Sequence, residues 1–169
     1  MKIAIYGGTF DPPHLGHELF IKAFIEKYLP DKMIVIPTKI PPHKACETTG
    51  AADRLAMARL AFKVLELAVQ PVKTFCRFHE IPATEKGIAE VSDCEIRRKG
   101  KSYTVDTLEL FKRKYPDADI FFIIGSDMLL TFDEWRCPRR ILELATVVAA
   151  PRRESAELVD EMRKKAKSI

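Results

Sequence analysis

Residues Ile120-Phe121-Phe122-Ile123-Ile124 are apolar at every position. Successive side chains of a strand point to opposite faces, so a strand of this composition needs both faces of its sheet covered, the condition of a parallel sheet packed between helices. Shorter runs of the same kind recur at Ile3 to Tyr6, closed by Gly7-Gly8, and at Met33 to Ile36, closed by Pro37, and a further strand is expected at Thr146 to Ala150. Helical spacing fills the intervals. Leu19, Phe20, Ala23 and Phe24 form one apolar stripe, continued a turn later by Lys27 and Tyr28. Leu55, Ala58, Arg59, Phe62 and Leu65 mark a helix over 51–69, and Val105, Leu108 and Phe111 mark another over 104–114, preceded by Ser102. Short helical pieces are expected at 126–131 and 138–144, and a basic-acidic helix at 154–167. Further strands are expected near 73–78 and from Val91 to Ile96, separated by an irregular excursion over 79–90 that carries Pro82 and Gly87. The alternation predicts an α/β, three-layer sandwich with a mostly parallel central sheet.

The 169 residues suit one domain, and 47% hydrophobic with 31% charged residues suits a folded core. Net charge is +4, but six basic and four acidic side chains fall within 152–169. The preceding residues therefore carry only +2, too little for the basic stripe of a nucleic-acid binder. No apolar run approaches the roughly 18 to 20 residues that span a bilayer, and Met1-Lys2-Ile3-Ala4-Ile5 has no signal-peptide pattern, so the chain reads as cytoplasmic, with no membrane partner. Cys46, Cys76, Cys94 and Cys137 form no CxxC pair and read as free thiols.

In open parallel sheets, ligands bind beyond the carboxyl ends of strands. The segment Gly7-Gly8-Thr9-Phe10-Asp11-Pro12-Pro13-His14-Leu15-Gly16-His17 occupies such a place, between the first strand and the first helix. It is neither a GxGxxG fingerprint nor a Walker loop, yet it has the parts of a phosphate site. Gly7 and Gly8 let backbone approach a ligand, Thr9 and Phe10 can present main-chain N–H groups, and a helix starting near Gly16 aims its positive end at an anion. His14 and His17, three apart at a helix start, can face one point and donate hydrogen bonds to a phosphate whose charge grows during transfer. A zinc site is the competing reading of paired histidines; only Asp11 offers a further ligand nearby, so no metal site is assigned.

The segment 7–17 resembles the HxGH signature of the nucleotidyltransferase superfamily. Together with Pro41-Pro42-His43-Lys44, Lys101-Ser102-Tyr103-Thr104-Val105-Asp106-Thr107, Phe122-Ile123-Ile124-Gly125-Ser126-Asp127-Met128-Leu129 and Trp135, it is similar to the bacterial nicotinate (nicotinamide) mononucleotide adenylyltransferase family over residues 1 to about 151. The resemblance implies a Rossmann-like nucleotidyltransferase fold and direct, in-line transfer of AMP from ATP to nicotinate mononucleotide, giving deamido-NAD and pyrophosphate in NAD biosynthesis. It implies catalytic roles for His14, His17 and Lys44, and nucleotide binding by Gly7, Gly8, Thr9, Phe10, Gly125 and Asp127. Substrate contacts fall to Ser102, Tyr103, Thr104 and Trp135, whose helix start and flat indole suit a pyridine carboxylate. Mg²⁺ would be carried with ATP rather than held by a protein cage.

Asp127 also reads as the N-cap of 128–131, and Ser102 as the N-cap of the helix at 104–114. Nicotinamide mononucleotide and pantetheine phosphate are alternative acceptors, and a nucleotide-binding module with weakened catalysis is the alternative function class. A homo-oligomer is compatible with the sequence. Family members carry a second phosphate-binding signature, Ser-Ser/Thr-Thr-x-Ile/Leu-Arg, near their C-terminus. No such string occurs here, so residues 1–151 are expected to form the nucleotidyltransferase domain and 152–169 its C-terminal helix, truncated before that signature.

Overall fold

A computed structural model describes residues 1–42, 49–67, 89–150 and 156–169. Its strands are β1 (Lys2–Gly8), β2 (Lys32–Pro37), β3 (Ala89–Val91), β4 (Asp119–Gly125) and β5 (Thr146–Ala150). They form one sheet in the order β3-β2-β1-β4-β5, and every pairing is parallel. The chain moves outward from β1 through β2 to β3, then returns to the other side of β1 for β4 and β5. The strand order thus reverses between β1 and β4, where Tyr6 lies opposite Ile123 and the carboxyl ends finish side by side.

Period-2 alternation divides the strand side chains between two cores. Ile3, Ile5, Ile34, Ile36, Ile120, Phe122 and Ile124 point to one face. That face is covered by α4 (Thr104–Lys114), α5 (Ser126–Leu130), a 3₁₀ turn (Phe132–Glu134), α6 (Pro138–Leu144) and α7 (Ala156–Ser168), through Val105, Leu108, Leu129, Phe132, Ile141 and Met162 among others. Ala4, Met33, Val35 and Ile123 point the other way. There they meet α1 (Leu15–Tyr28) and α2 (Ala51–Leu67), which contribute Ile21, Phe24, Ala58 and Phe62. This is the predicted three-layer α/β sandwich.

The buried stripe of α1 runs through Ile21, Phe24 and Ile25, and Leu19 is 55% exposed. Of the residues expected in that stripe Phe24 is buried and Phe20 half-buried, while Leu19 and Ala23 face outward. The helix begins at Leu15, and the phase set there turns Ile21, Phe24 and Ile25 toward the sheet. The run Val91 to Ile96 also departs from expectation. Only Ala89–Val91 is strand, and Cys94–Arg97 form the short helix α3. The Asp93 carboxylate takes the Arg97 guanidinium at 2.8 Å one turn on, and Glu95 turns inward, which a strand continuing along the sheet edge would not allow. The expected strand at 73–78 and most of the excursion at 79–90 lie outside the described residues. Cys94 and Cys137 are free thiols, while Cys46 and Cys76 lie outside the described residues. No described helix is long and apolar enough to cross a membrane.

Candidate active site

The loop after β1 is built around Phe10. Its ring is buried at 2% exposure against Tyr6, Phe62 and His17, although its backbone sits in the left-handed region at φ 50°. A Cβ on Gly8 would lie 2.9 Å from this ring, so glycine is the residue that lets the ring fold back over the strand end. Gly7 and Gly8 are the last residues of β1, and the Asp11–Pro12 peptide is cis.

His14 is the N-cap of α1 and His17 lies in its first turn. Their rings stack with centroids 3.6 Å apart, and a Cβ at Gly16 would lie 3.0 Å from His14 Nδ1. The glycine between the histidines is therefore where the His14 ring lies across the helix. The His14 main-chain N–H donates to His17 Nδ1 at 3.1 Å. A nitrogen that accepts carries no proton, so the His17 ring proton sits on Nε2 and that atom is a donor. The two imidazoles and the start of a 14-residue helix form a set of anion-binding groups at the point where the strand order reverses.

Across the reversal point, Gly125 ends β4 and is itself the N-cap of α5. Asp127 is not the cap; it is an exposed residue in the first turn. The predicted substrate residues open α4, whose N-cap is Tyr103 rather than Ser102. Ser102 is buried instead. Its Oγ accepts the Lys39 N–H at 3.1 Å and its N–H donates to the Ile40 carbonyl at 3.0 Å, which docks the start of α4 on the chain leaving β2. Arg136 lies over the Tyr103 ring at 4.6 Å, and Trp135 packs on Phe122 and Phe132. Trp135 and Tyr103 thus border the same core. Lys44, together with His43, lies outside the described residues. Asp11, the one carboxylate of the first loop, accepts the Thr49 N–H at 2.8 Å, and among the described residues no group of three or more His, Cys, Asp or Glu side chains comes together.

Two buried charges escaped the sequence reading. Arg54 in α2 is 1% exposed and donates to four main-chain carbonyls: Thr9 at 2.7 Å, Thr38 at 2.6 Å, and Lys39 and Thr49 at 2.9 Å. Burial pulls its pKa below the ordinary guanidinium value, opposed by the Asp11 carboxylate. Its signal was present, because Arg54 falls on the apolar stripe with Ala58 and Phe62 at spacings of four. Glu95 in α3 is 7% exposed and accepts the Thr107 hydroxyl at 2.7 Å, while Arg98 donates to the same Thr107 oxygen.

Burial raises the Glu95 pKa above the carboxylate value, and hydrogen bonds from Thr107, Ser102 and Thr38 and the charge of Arg98 pull it back only in part. Between the unfolded and folded pKa values the native state holds more protons than the unfolded state, so stability falls as pH rises through that window. A Glu95→Gln variant is expected to lose this slope. Thermal melts of the two proteins from acid to neutral pH check it, and parallel curves would remove Glu95 as the source.

A family model described as cytidylyltransferase-like matches residues 5–168. A probable nicotinate-nucleotide adenylyltransferase of Borrelia hermsii is 36% identical over 164 residues, covering 96% of this chain and 75% of that protein. One from Aquifex aeolicus is 35% identical over 157 residues, covering 93% and 81%. Among solved structures, one assigned to a nicotinate-nucleotide adenylyltransferase of Vibrio parahaemolyticus superposes with a TM-score of 0.66 at 25% identity, over 95% of this chain and 80% of that one. The nicotinic acid mononucleotide adenylyltransferase of Plasmodium falciparum, complexed with NaAD, shares the fold with a TM-score of 0.68 at 18% identity, over 95% and 70% of the two chains. With its stacked histidines at the strand reversal and this extent of similarity, the chain belongs to the cytidylyltransferase-like family and, within it, to the nicotinate-nucleotide adenylyltransferases.

Proposed function

We propose that this protein transfers the adenylyl group of ATP to nicotinate mononucleotide, releasing pyrophosphate and forming deamido-NAD for NAD biosynthesis. The observation that carries the reading is the stacked pair His14 and His17 at the start of α1, beside the adjoining carboxyl ends of β1 and β4. An oxygen of the mononucleotide phosphate attacks the α-phosphorus of ATP. The bond from that phosphorus to the bridging oxygen breaks, and pyrophosphate leaves with the bond's electron pair. The attacking group is the substrate's own phosphate, so the protein needs no nucleophile of its own. Its work is alignment and stabilisation of charge on the phosphate oxygens.

His17 Nε2–H, the His14 ring and the first turn of α1 are suited to hold the triphosphate, with the Thr9–Phe10 backbone and Lys44 as further donors. In this reading Gly125, at the end of β4, and Asp127, in the first turn of α5, contact the nucleotide, where the Asp127 carboxylate can accept from ribose hydroxyls. In this reading Tyr103, Thr104 and Trp135 contact the pyridine, whereas Ser102 supports Tyr103 and Thr104 by holding the start of α4 to the chain that leaves β2. Mg²⁺ takes oxygen ligands, whereas the paired imidazoles and the helix start offer donors, so the cation would be held by the triphosphate oxygens and would offset part of their charge. A reaction that consumes ATP is in keeping with a cytoplasmic protein.

A coupled pyrophosphate assay with ATP tests the reading. Release is expected with nicotinate mononucleotide, more slowly with the nicotinamide form, and not with pantetheine phosphate. No release with either pyridine mononucleotide would refute it.

A further inference from the structure

The Arg54 guanidinium spans two loops that sequence reasoning treats separately. Its Nη1 holds the carbonyl of Thr9, in the loop after β1, and that of Thr38, just beyond β2. Nη2 and Nε hold Lys39 and Thr49, which flank the segment carrying Pro41-Pro42-His43-Lys44. Asp11 closes the same bracket by accepting the Thr49 N–H.

A trans peptide is planar, and its C=O and N–H point in opposite directions. Drawing the Thr9 carbonyl onto Arg54 therefore turns the Phe10 N–H away from Arg54. The Thr38–Lys39 peptide shows the same geometry completed at both ends. Its carbonyl is on Arg54 at 2.6 Å, and its N–H is on Ser102 Oγ at 3.1 Å. One planar fork thus sets the direction of a main-chain donor beside the stacked histidines and the seat of the segment that opens α4. The left-handed backbone of Phe10, φ 50°, is a conformation that needs such external restraint.

We propose that Arg54 is a positioning residue for adenylyl transfer: it aims the Phe10 amide at the transferring phosphate and holds the loop after β1 in register with the chain after β2 on which the start of α4 is seated. This rests on the adenylyl-transfer reading for its assay, but not for its structural readout. Lysine retains the charge, yet its single ammonium cannot reproduce a fork bonded to four carbonyls.

The experiment compares wild type with Arg54→Lys and Arg54→Ala, each rate normalised to the folded fraction from circular dichroism. For Arg54→Lys, kcat is expected to fall about 100-fold, the size seen when one charge-stabilising donor is misaligned, with a far smaller change in the KM for ATP. Guanidinium chloride at non-denaturing concentration is expected to restore part of the lost rate to Arg54→Ala, while sodium chloride at equal ionic strength does not. The amide resonances of Phe10 and Lys39 are expected to shift in Arg54→Lys while those of α7 stay in place. A wild-type kcat in folded Arg54→Lys would overturn the proposal, and so would losses in both variants that track the unfolded fraction alone. If the wild-type protein itself releases no pyrophosphate, the adenylyl-transfer reading fails. The amide spectra then decide the positioning of Phe10 separately, and unmoved Phe10 and Lys39 resonances would overturn it.

Discussion

Replacing His17 by Ala is expected to lower kcat for pyrophosphate release by about 100- to 1000-fold, the range for losing one preorganised donor to a charge that develops in the transition state. The fold should survive. His17 lies at the rim of the sheet, and its Nδ1 bond is made to the neighbouring main chain rather than across the core. Because Nδ1 accepts the His14 N–H, Nε2 is the donor of the ring, and this makes the two amide replacements unequal. Gln places its amide nitrogen near the position of Nε2, whereas Asn places its amide near that of Nδ1. His17→Gln should therefore keep more activity than His17→Asn. Steady-state rates for the three variants, with circular dichroism as the control on folding, check this. A near-wild-type rate for His17→Ala would overturn the assigned role.

The largest expected effect on stability comes from Phe10→Ala. The ring is 2% exposed, meets Phe62 and Tyr6 edge-on at centroid distances of 5.4 and 5.6 Å, and rests on Gly8. Truncating a buried phenylalanine costs about 3 to 5 kcal/mol through lost burial and the cavity left behind. Alanine gives nothing back at φ 50°, since it has the same Cβ in the same left-handed backbone. A small domain has only about 5 to 15 kcal/mol in all, so the variant should be folded but fragile. Urea unfolding measures it, and a loss below about 1 kcal/mol would show that the loop does not depend on this ring. Activity should fall as well, because the edge of the same ring packs against His17 with centroids 5.1 Å apart.

Much of this architecture is legible from residues alone. The helix expected over 104–114 is Thr104–Lys114, with the predicted Val105, Leu108 and Phe111 buried, and the strand expected at Thr146 to Ala150 has those bounds. The first carries a clear helical period and the second is a short run rich in valine, and each is read from its own residues. The histidines and glycines of the first loop could likewise be placed by their spacing beside a strand end. Val91 to Ile96 misleads because three strand residues run into one turn of helix with no change in apolar content. What separates them is the Asp93–Arg97 pair and the inward turn of Glu95 toward Thr107, twelve residues further along the chain. Ser102 had the look of a cap from its place before a helix, yet its hydroxyl is committed to Lys39, sixty-three positions away.

Periodicity, caps and turn residues act over a few positions, and they are enough to dictate alternating elements, a doubly covered parallel sheet and a turn bearing glycines and histidines after its first strand. The orientation of the groups in that turn belongs to another scale. The Phe10 amide depends on a guanidinium forty-five residues away from Thr9. A buried Arg or Glu takes whatever acceptors and donors the folded chain brings to it, and an unpartnered buried charge is too costly to persist. Local pattern therefore names the candidate residues of the first loop, while assembly of the sheet settles which carbonyls Arg54 grips, which hydroxyls Glu95 collects and so where the main-chain donors point.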